Sequence, residues 1–535
     1  MGHTIRARPP REQVAPPGID RSPEALAGRL EDAAHFPGGH ADGIARPRTE
    51  SEVAALVSTC ASVLPIGAQS SVTGGATPAG GVLLSTDRLT AIEPAGPRRY
   101  RAGAGVPLDA LQARLAADGC WYAPAPTYTG AFVGGVAATN AAGAATFKYG
   151  ATRPWIEALT VVLGCGDVLD LERGAVHADP AHGFEVVCAH GIRRFRPGRY
   201  VMPGVPKCSA GYYAAAEMDL IDLFIGAEGT LGVIVDLTVR VLPAPGAAAS
   251  ALISCPTESA GLAVVHALRD ASQQTWAEKD PLGIDVSAIE HLDQRCLEVL
   301  REDGVDRGQS VTIPGSTELL LLVQLELPAG TTAAMAYDAV AGALEPGAPD
   351  GPLMRFCQVL AAHGVLDSTE LAAPGDSRRA HQFLMLREGA PVGVNRRVGD
   401  ARRRIDDRID KTAADMIVPF DRFDDMMAMY RDGYARRGLD YAIWGHISDG
   451  NVHPNVIPRS YADVVAGREA ILEFGREVVR MGGSPLAEHG VGRSSLKQAL
   501  LRLMYGDEGV EQMRAIKAAL DPDWKLAPGV LFARQ

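Results

Sequence analysis

The stretch that most constrains the fold of this chain is 444–454, with the sequence WGHISDGNVHP. Asp449 and Gly450 lie at its centre, and Asp-Gly favours a two-residue type I′ turn between antiparallel strands. Such a turn would pair His446 with His453, and directly opposed Cβ atoms lie about 4.5–5.5 Å apart on one face of a sheet. Two imidazoles in this arrangement can chelate one divalent ion. The sequence therefore predicts a hairpin that carries part of a metal site.

A second short motif, EHGVG, supplies a third ligand for such a site. It begins at Glu488, and three protein ligands with an open fourth position are typical of catalytic zinc sites. His446, His453 and Glu488 are therefore the candidate metal ligands, with zinc as the first choice and iron or manganese as alternatives. The simpler interpretation, two solvated strand histidines beside an ordinary acidic residue, stays open. The symmetric placement about Asp-Gly favours the metal.

Composition limits the classes of protein to which the chain can belong. Its 535 residues exceed one ordinary core and predict two or three domains. A hydrophobic fraction of 47% with 22% charged residues is typical of a globular protein in water. The formal net charge of -12 disfavours a nucleic-acid partner, because nucleic-acid phosphates would be repelled.

The cysteines and the N-terminal segment indicate a compartment. Eight cysteines are scattered without a C-x-x-C motif, which indicates reduced thiols in a cytoplasmic protein. The N-terminal sequence MGHTIRARPPREQVAPPG lacks the apolar core of a signal peptide, and we expect a proline-stiffened tail there. No run approaches the roughly 18 apolar residues of a membrane span. We expect a cytoplasmic protein, with peripheral attachment to the inner face of the membrane as an alternative.

Two tracts of small residues can bring the backbone close to a ligand. Residues 64–78 are rich in glycine and hydroxyl groups, and the N–H groups of such a loop can converge on an anion such as pyrophosphate. A flexible connection is an equal alternative for this loop. Residues 124–143 are mostly glycine, alanine and threonine, so a flat ligand could pack directly on the main chain. The chain has no P-loop and no G-x-G-x-x-G motif after a strand, so a Rossmann site is unsupported.

Apolar patterns predict further elements. Residues 156–171 predict a hairpin with its bend at 164–167, whereas 174–200 shows no clear pattern. From residue 244 onwards, apolar strands such as ELLLLVQLEL alternate with amphipathic helices such as YADVVAGREAILEFGREVVRM. This alternation favours a second domain of the α+β class.

An ordered set of motifs resembles a known flavoprotein superfamily. The loop 67–75, the tract PAPTYTGAFVGG, KYG at 148–150 and GAEGTLG at 226–232 follow one another as in the FAD domain of the vanillyl-alcohol-oxidase and p-cresol-methylhydroxylase superfamily. The later GHISDGNVHPN and EHGVG are similar to motifs of the branch with FAD-linked D-lactate, glycolate and D-2-hydroxyglutarate dehydrogenases. The resemblance covers about 45–535, nearly the whole chain.

The resemblance implies an α+β fold in four segments. Residues 1–40 would form an N-terminal tail and helix. Residues 41–243 would form a two-subdomain FAD-binding domain of the p-cresol-methylhydroxylase (PCMH) type. Residues 244–485 would form an α+β cap, an antiparallel sheet with flanking helices that carries the metal hairpin. Residues 486–535 would form a C-terminal helical segment that returns to the FAD domain.

FAD is the implied cofactor, bound non-covalently because no histidine lies in the loops expected to hold it. Its pyrophosphate would bind along 67–75 and its flavin along 124–150, with 226–234 closing the pocket. The residues expected to bind FAD are Pro65, Gly67, Ala68, Gln69, Ser70, Ser71, Thr73, Gly74, Gly75, Pro124, Pro126, Thr127, Gly130, Ala131, Gly134, Gly135, Thr139, Asn140, Gly143, Tyr149, Glu228, Gly229, Gly232 and Ile234.

The implied reaction is oxidation of a 2-hydroxy acid to the 2-oxo acid. The expected substrate is a 2-hydroxy acid similar to D-lactate. The metal would orient the substrate and lower the pKa of its hydroxyl group, and the hydride would pass to the flavin. His489 is the candidate acceptor of the hydroxyl proton. Arg387 would bind the substrate carboxylate with its planar fork, although a surface arginine is an equal alternative, and Asn455 would orient the substrate.

Two positions depart from the D-2-hydroxyglutarate dehydrogenases. Pro391 stands where they have a threonine, and Ala413 stands where they have a lysine, which disfavours D-2-hydroxyglutarate as the substrate. The expected electron acceptor is a quinone, an electron-transfer flavoprotein or a cytochrome. Both a monomer and a homodimer are compatible with the sequence.

Three other functions stay open. A metal-independent flavin oxidase of phenolic or lignin-derived compounds would use the same fold and make the set His446, His453 and Glu488 incidental. A transferase like alkyl-glycerone-phosphate synthase is disfavoured, because that group has a run of histidines where 487–489 stands. A flavin-storage protein would explain the glycine-rich loops but not the candidate ligands.

Overall fold

A computed structural model describes residues 2–124 and 126–533 and divides the chain into two compact units. The first unit comprises 1–143, 150–244 and 484–535, and the second comprises 144–149 and 245–483. No helix among the described residues has both the length and the apolar character needed to cross a membrane.

The strands are β1 Thr4–Arg6, β2 Gly43–Ala45, β3 Val63–Ile66, β4 Val82–Ser85, β5 Ile92–Pro94, β6 Arg99–Gly103, β7 Cys120–Trp121, β8 Ile156–Val162, β9 Val168–Glu172, β10 Phe184–Cys188, β11 Gly191–Phe195, β12 Val233–Arg240, β13 Leu242–Pro243, β14 Ala247–Cys255, β15 Val286–Leu292, β16 Leu319–Leu327, β17 Thr369–Ala372, β18 Met416–Ile417, β19 Tyr441–His446 and β20 Asn451–Val456.

The α-helices are α1 Pro23–Leu26, α2 Glu50–Thr59, α3 Leu108–Ala117, α4 Val133–Ala138, α5 Thr146–Tyr149, α6 Ile221–Phe224, α7 Glu258–Glu278, α8 Gln294–Asp303, α9 Val305–Gly308, α10 Ala333–Ala341, α11 Pro352–Ala362, α12 Ser377–Arg404, α13 Phe423–Ala435, α14 Tyr461–Arg480 and α15 Ser495–Leu520. Short 3-10 turns cover Arg153–Trp155, Leu366–Ser368, Phe420–Arg422 and Ile447–Asp449.

The first unit combines a parallel and an antiparallel sheet. Strands β2, β4 and β3 form the parallel sheet, and β5, β6, β12, β8 and β9 form the antiparallel one in that order. The predicted hairpin at 156–171 is confirmed, since Val162 pairs with Val168 across the bend. Helix α2 begins after Thr49, whose hydroxyl group accepts the N–H of Glu52 at 3.2 Å and so caps the helix.

The N-terminal segment, expected to be a proline-stiffened tail, contains a strand near its start. Strand β1 pairs in parallel with β10, with Thr4 opposite Glu185. The Arg8 guanidinium donates to Glu50 at 2.7 and 2.6 Å and to Asp170 at 2.5 and 3.0 Å. The segment 174–200, which had no clear pattern, contains the β10–β11 hairpin. A strand of three residues has no detectable period, and its pairing with a partner far along the chain leaves no local signal.

The second unit contains a seven-stranded antiparallel sheet in the order β17-β14-β16-β15-β19-β20-β18. Helices α8 and α12 pack on it around a core that includes Leu292, Leu322, Phe383 and Trp444. The predicted α+β class with an antiparallel sheet and flanking helices is therefore confirmed.

The predicted two-residue turn between β19 and β20 is wrong. A 3-10 turn over Ile447–Asp449 and a left-handed Gly450 (φ 85°) make a four-residue connection. His446 consequently pairs with Asn451, and the partner of His453 is the residue two positions before His446. The two histidines still share one face, because a change of two residues in register preserves the face. They are diagonal neighbours with ring centroids 5.6 Å apart.

Candidate functional site

The first unit contains a large cleft whose lining is mostly backbone and small side chains. Its empty space is about 1480 Å³ including the part open to solvent. The predicted FAD-binding residues that line it are Pro65, Gly67, Ala68, Gln69, Ser70, Ser71, Gly75, Pro126, Thr127, Ala131, Gly134, Gly135, Thr139, Glu228, Gly229, Gly232 and Ile234. Glu488 and His489 also line this cleft.

The absence of a side chain has a different consequence at each of two adjacent glycines in α4. A Cβ on Gly134 would lie 2.5 Å from the Cβ of Ala104, so Gly134 allows close packing of the helix. A Cβ on Gly135 would meet no atom within 4 Å, although Gly135 lines the cleft. The absent side chain at Gly135 therefore leaves room for a ligand that lies against the helix. This is the property expected of a surface on which a flat ring packs.

Several predicted FAD-binding residues shape the loops and do not line the cleft. The Gly74 N–H donates to Asp32 Oδ2 at 2.6 Å, and the Thr73 carbonyl accepts the N–H of Arg493 at 3.0 Å. Asn140 Oδ1 accepts the N–H of Arg153 at 2.9 Å. The others outside the lining are Pro124, Gly130, Gly143 and Tyr149. Tyr149 lies in the second unit, where its hydroxyl group donates to Glu326 Oε1 at 2.5 Å.

Glu228 joins two of the sequence motifs. Its Oε1 accepts the N–H of Val491 at 2.8 Å, and its Oε2 accepts the N–H of Gly492 at 2.9 Å. Burial raises the pKa of Glu228 to about 7, although these two N–H groups lower it. The carboxyl group therefore fixes the EHGVG segment against the wall of the cleft.

Glu488, a candidate metal ligand, is oriented by a lysine that the sequence motifs did not indicate. Lys207 Nζ lies 2.7 Å from Glu488 Oε2, and the side chain of Lys207 is 0% exposed. The other oxygen, Glu488 Oε1, lies 3.7 Å from Nε2 of His489. His489 is about one-third exposed, whereas Glu488 is buried. Lys207 thus holds one oxygen of Glu488 and leaves the carboxylate with a defined orientation.

Replacing Lys207 with methionine is expected to lower the free energy of unfolding by about 3–5 kcal/mol, because it leaves the buried Glu488 without its ammonium partner. Urea unfolding of the purified protein measures this change. Lys148→Met is the matched control. Lys148 forms ion pairs at the same distance of 2.7 Å, but its two partners, Asp285 and Glu326, are more exposed than Glu488. An equal loss in both variants would contradict the buried-pair account. The double variant Lys207→Met/Glu488→Gln should recover part of the loss.

In the second unit, a row of buried side chains connects α12 to the β19–β20 hairpin. Arg387 Nε and Nη2 donate to Glu290 Oε2 at 3.1 and 3.0 Å. The other oxygen, Glu290 Oε1, lies 2.9 Å from Nδ1 of His446. Arg387 Nη1 donates to Glu388 Oε1 at 2.7 Å. These bonds use three of the five N–H groups of a guanidinium, so Arg387 retains donors for a further carboxylate.

Glu290 sets the protonation of His446. Burial raises the pKa of Glu290, but the charges of Arg387 and His446 outweigh this effect and lower the pKa to about 2. An ionised Glu290 accepts the Nδ1–H of His446, so loss of the other ring proton leaves the lone pair on Nε2. A carboxylate behind the ring is the usual arrangement at metal-binding histidines.

His453 has a similar neighbour. Asp415 Oδ1 lies 3.5 Å from Nδ1 of His453. Asn451 Nδ2 fixes Asp415 by donating to its Oδ1 at 3.2 Å, and it also donates to the carbonyl of Met416 at 2.9 Å. Two imidazoles on one face, each with a carboxylate near Nδ1, fit the nitrogen donors that a zinc-type ion requires.

Asn455 presents a buried acceptor. Its Nδ2 donates to the carbonyl of His453 at 2.9 Å, and its Oδ1 is buried without a hydrogen-bond partner among the described residues. Buried polar atoms in proteins are normally hydrogen-bonded. An orphaned oxygen beside the hairpin histidines therefore points to a polar group of a bound ligand.

Glu290 is the residue of this row that sequence reasoning missed. It is the one acidic residue of β15, in the buried run VSAIEHL. A lone acidic residue in a buried strand is a usable signal, because such a carboxylate requires a partner. Nothing local to Lys207 distinguishes it from a surface lysine.

Two family models match the chain: the FAD binding domain over residues 41–172, and the C-terminal domain of FAD linked oxidases over residues 256–531. A D-2-hydroxyglutarate dehydrogenase of Xanthomonas citri pv. viticola is 28% identical over 505 residues, 91% of this chain and 89% of that protein. The glycolate oxidase subunit GlcD of Bacillus subtilis is 25% identical, with 92% and 89% covered. A D-lactate dehydrogenase of Anaerostipes hadrus is 25% identical, with 91% and 90% covered.

A solved structure, an alkyldihydroxyacetonephosphate synthase, superposes with a TM-score of 0.58 at 13% identity. The superposition covers 98% of this chain and 88% of that one. At this identity the likeness shows the fold alone, and it agrees with the fold class predicted from the sequence.

Proposed function

Because the chain belongs to the family of FAD-linked oxidases, we propose that it oxidises a 2-hydroxy acid, most like D-lactate, to the 2-oxo acid. The first unit is proposed as the FAD-binding domain and the second as the substrate domain. FAD supplies the acceptor for the hydride that leaves the substrate carbon. The cleft of the first unit supports this role, since small residues and an open Gly135 line it.

The observation that carries the proposal is the buried row Arg387–Glu290–His446 beside His453. Arg387 is proposed to bind the substrate carboxylate with its remaining N–H groups. Asn455 is proposed to fix the substrate through its unpartnered Oδ1.

His446 and His453 are proposed as ligands of a divalent metal, zinc first, and Glu488 stays the third ligand predicted from the sequence. Such an ion supplies Lewis acidity, which lowers the pKa of an alcohol. His489 is proposed as the base that accepts the hydroxyl proton, and Glu488 Oε1, 3.7 Å from His489 Nε2, would favour the resulting imidazolium. Glu290 and Asp415 orient the two ligand histidines.

An anaerobic panel tests the substrate class. The FAD-loaded protein is mixed with the D- and L-forms of lactate and 2-hydroxyglutarate, with glycolate, and with a phenolic alcohol, and loss of the oxidised-flavin absorbance is recorded. We expect D-lactate to bleach the flavin at least tenfold faster than L-lactate, and a chelator to abolish the reaction. Bleaching by the phenolic alcohol alone, insensitive to chelator, would favour the metal-independent oxidase. An absence of bleaching with every compound would contradict both.

A further inference from the structure

Two cysteines of the first unit lie side by side outside the cleft. Cys165 lies in the β8–β9 bend, and Cys188 ends β10. Their sulfur atoms and a carboxylate oxygen of Asp167 all lie within 4.8 Å of one another. Cys188 is buried and Cys165 is half-buried, so a small reagent reaches Cys165 first.

The surroundings make the two thiols unequal. The neighbouring Cys188 thiol, with Arg193 nearby, lowers the pKa of Cys165, while burial and the charge of Asp167 oppose that effect. Its proximity to Cys165 raises the pKa of Cys188, as does burial. A thiolate that is partly exposed beside a second thiol is the arrangement of an attacking and a resolving cysteine.

The backbone around the pair is held in place. Asp167 Oδ2 accepts the N–H of Ala189 at 2.7 Å, which ties the end of β10 to the β8–β9 bend. The Gly166 N–H donates to the carbonyl of Leu163 at 2.9 Å and closes the bend. The two sulfur atoms therefore stay close, and disulfide formation requires side-chain rotation more than backbone movement.

We propose that Cys165 and Cys188 are a thiol–disulfide exchange pair whose oxidant is a low-molecular-weight disulfide such as oxidised glutathione. The Cys165 thiolate attacks one sulfur of glutathione disulfide, the S–S bond breaks, and one glutathione thiolate leaves. Cys188 loses its proton and attacks Cys165 Sγ, which expels the second glutathione. The two protein thiols lose two electrons, and one glutathione disulfide gains them and becomes two thiols.

A metal site is the weaker alternative at this place. Structural zinc sites take four protein ligands, whereas three candidate donors converge here among the described residues. The carboxylate of Asp167 already accepts the Ala189 N–H, and Arg193 adds a positive charge near the sulfur atoms.

The disulfide would fasten one sheet to another. Strand β10 pairs with β1 and β11, whereas the β8–β9 bend belongs to the five-stranded sheet. A covalent tie between them restricts the unfolded chain and raises the unfolding temperature of the FAD-loaded protein, by about 5 °C for a loop of this length.

The test treats the FAD-loaded protein with excess oxidised glutathione. We expect an intact mass lower by two hydrogen atoms, a peptide that contains residues 165 and 188 joined, and the higher unfolding temperature. Dithiothreitol should reverse all three. Cys188→Ser should stop at a glutathione adduct on Cys165, and Cys165→Ser should abolish the reaction. Cys120→Ser, a half-buried cysteine of β7 in the same unit, should behave as wild type.

A second measurement needs no variant at these positions. In the reduced wild-type protein, iodoacetamide should alkylate Cys165 at least tenfold faster than Cys120 at pH 7, as counted from digested peptides. Equal rates, a stable adduct on Cys165 of the wild type, or a crosslink between other cysteines would overturn the proposal. The proposal would also be overturned if the reduced protein took up one zinc ion and formed no crosslink even after the zinc was chelated.

Discussion

Replacing His453 with alanine is expected to lower kcat/KM for the best 2-hydroxy acid by about a thousandfold or more while FAD stays bound. The substitution removes one of the two imidazoles that share a face of the β19–β20 hairpin. The Lewis-acid stabilisation that the proposed metal would supply amounts to several kcal/mol of the activation barrier, and each 1.36 kcal/mol is about tenfold in rate. The measurement combines steady-state kinetics, flavin absorbance and elemental analysis of the same preparation.

His381→Ala is the matched control for this prediction. His381 is exposed on α12 in the same unit, so its loss should leave metal content and kcat/KM unchanged. Chelation of the wild-type protein should reproduce the loss, and added zinc should restore the wild type but not His453→Ala. Full turnover by metal-depleted wild type, or by His453→Ala, would remove the metal from the reaction.

Replacing Gly135 with leucine is expected to abolish retention of FAD, with at least a hundredfold loss of affinity. A Cβ at this position meets nothing within 4 Å, and the helix faces the cleft there, so the added side chain projects into the space proposed for the ring. The helix itself should tolerate the change, because a glycine inside a helix costs about 1 kcal/mol relative to better helix formers. Absorbance of the purified protein and titration with FAD measure the loss.

The control for this variant is Gly204→Leu. Gly204 is also an exposed glycine of the first unit with no atom near its Cβ, but it does not line the cleft. Gly135→Ala should give an intermediate affinity, since one methyl group occupies less of the space. A normal FAD content in Gly135→Leu would exclude this surface of α4 from the cofactor site, whereas an unfolded protein by circular dichroism would contradict the tolerance of the helix.

The local sequence pattern was sufficient to predict elements whose contacts join residues close in sequence. The hairpin at 156–171 has its bend at Gly164–Asp167, where two glycines flank Cys165. Most of the strands and helices after residue 244 also follow the apolar periodicity. The loops that line the cleft carry small residues in long runs, and such runs are visible without knowledge of the fold.

Long-range partners were not predictable in the same way. The pairing of β1 with β10 joins residues that are far apart in sequence, such as Thr4 and Glu185, and no local pattern encodes it. The Asp-Gly dipeptide predicted the hairpin, but the turn length depended on the 3-10 conformation of the preceding residues. The ion pairs Arg387–Glu290 and Lys207–Glu488 each join distant segments, so only the structure reveals what orients the candidate ligands.

The parallel strand at the N-terminus has a practical consequence for anyone who shortens the gene. A version that starts near residue 41, where a conventional domain boundary would be placed, loses β1 together with the Arg8 side chain that bridges Glu50 and Asp170. One edge of β10 would then present unpaired N–H and C=O groups, which recruit strands from other molecules. Such a truncated product would precipitate during purification, and its insolubility would say nothing about catalysis.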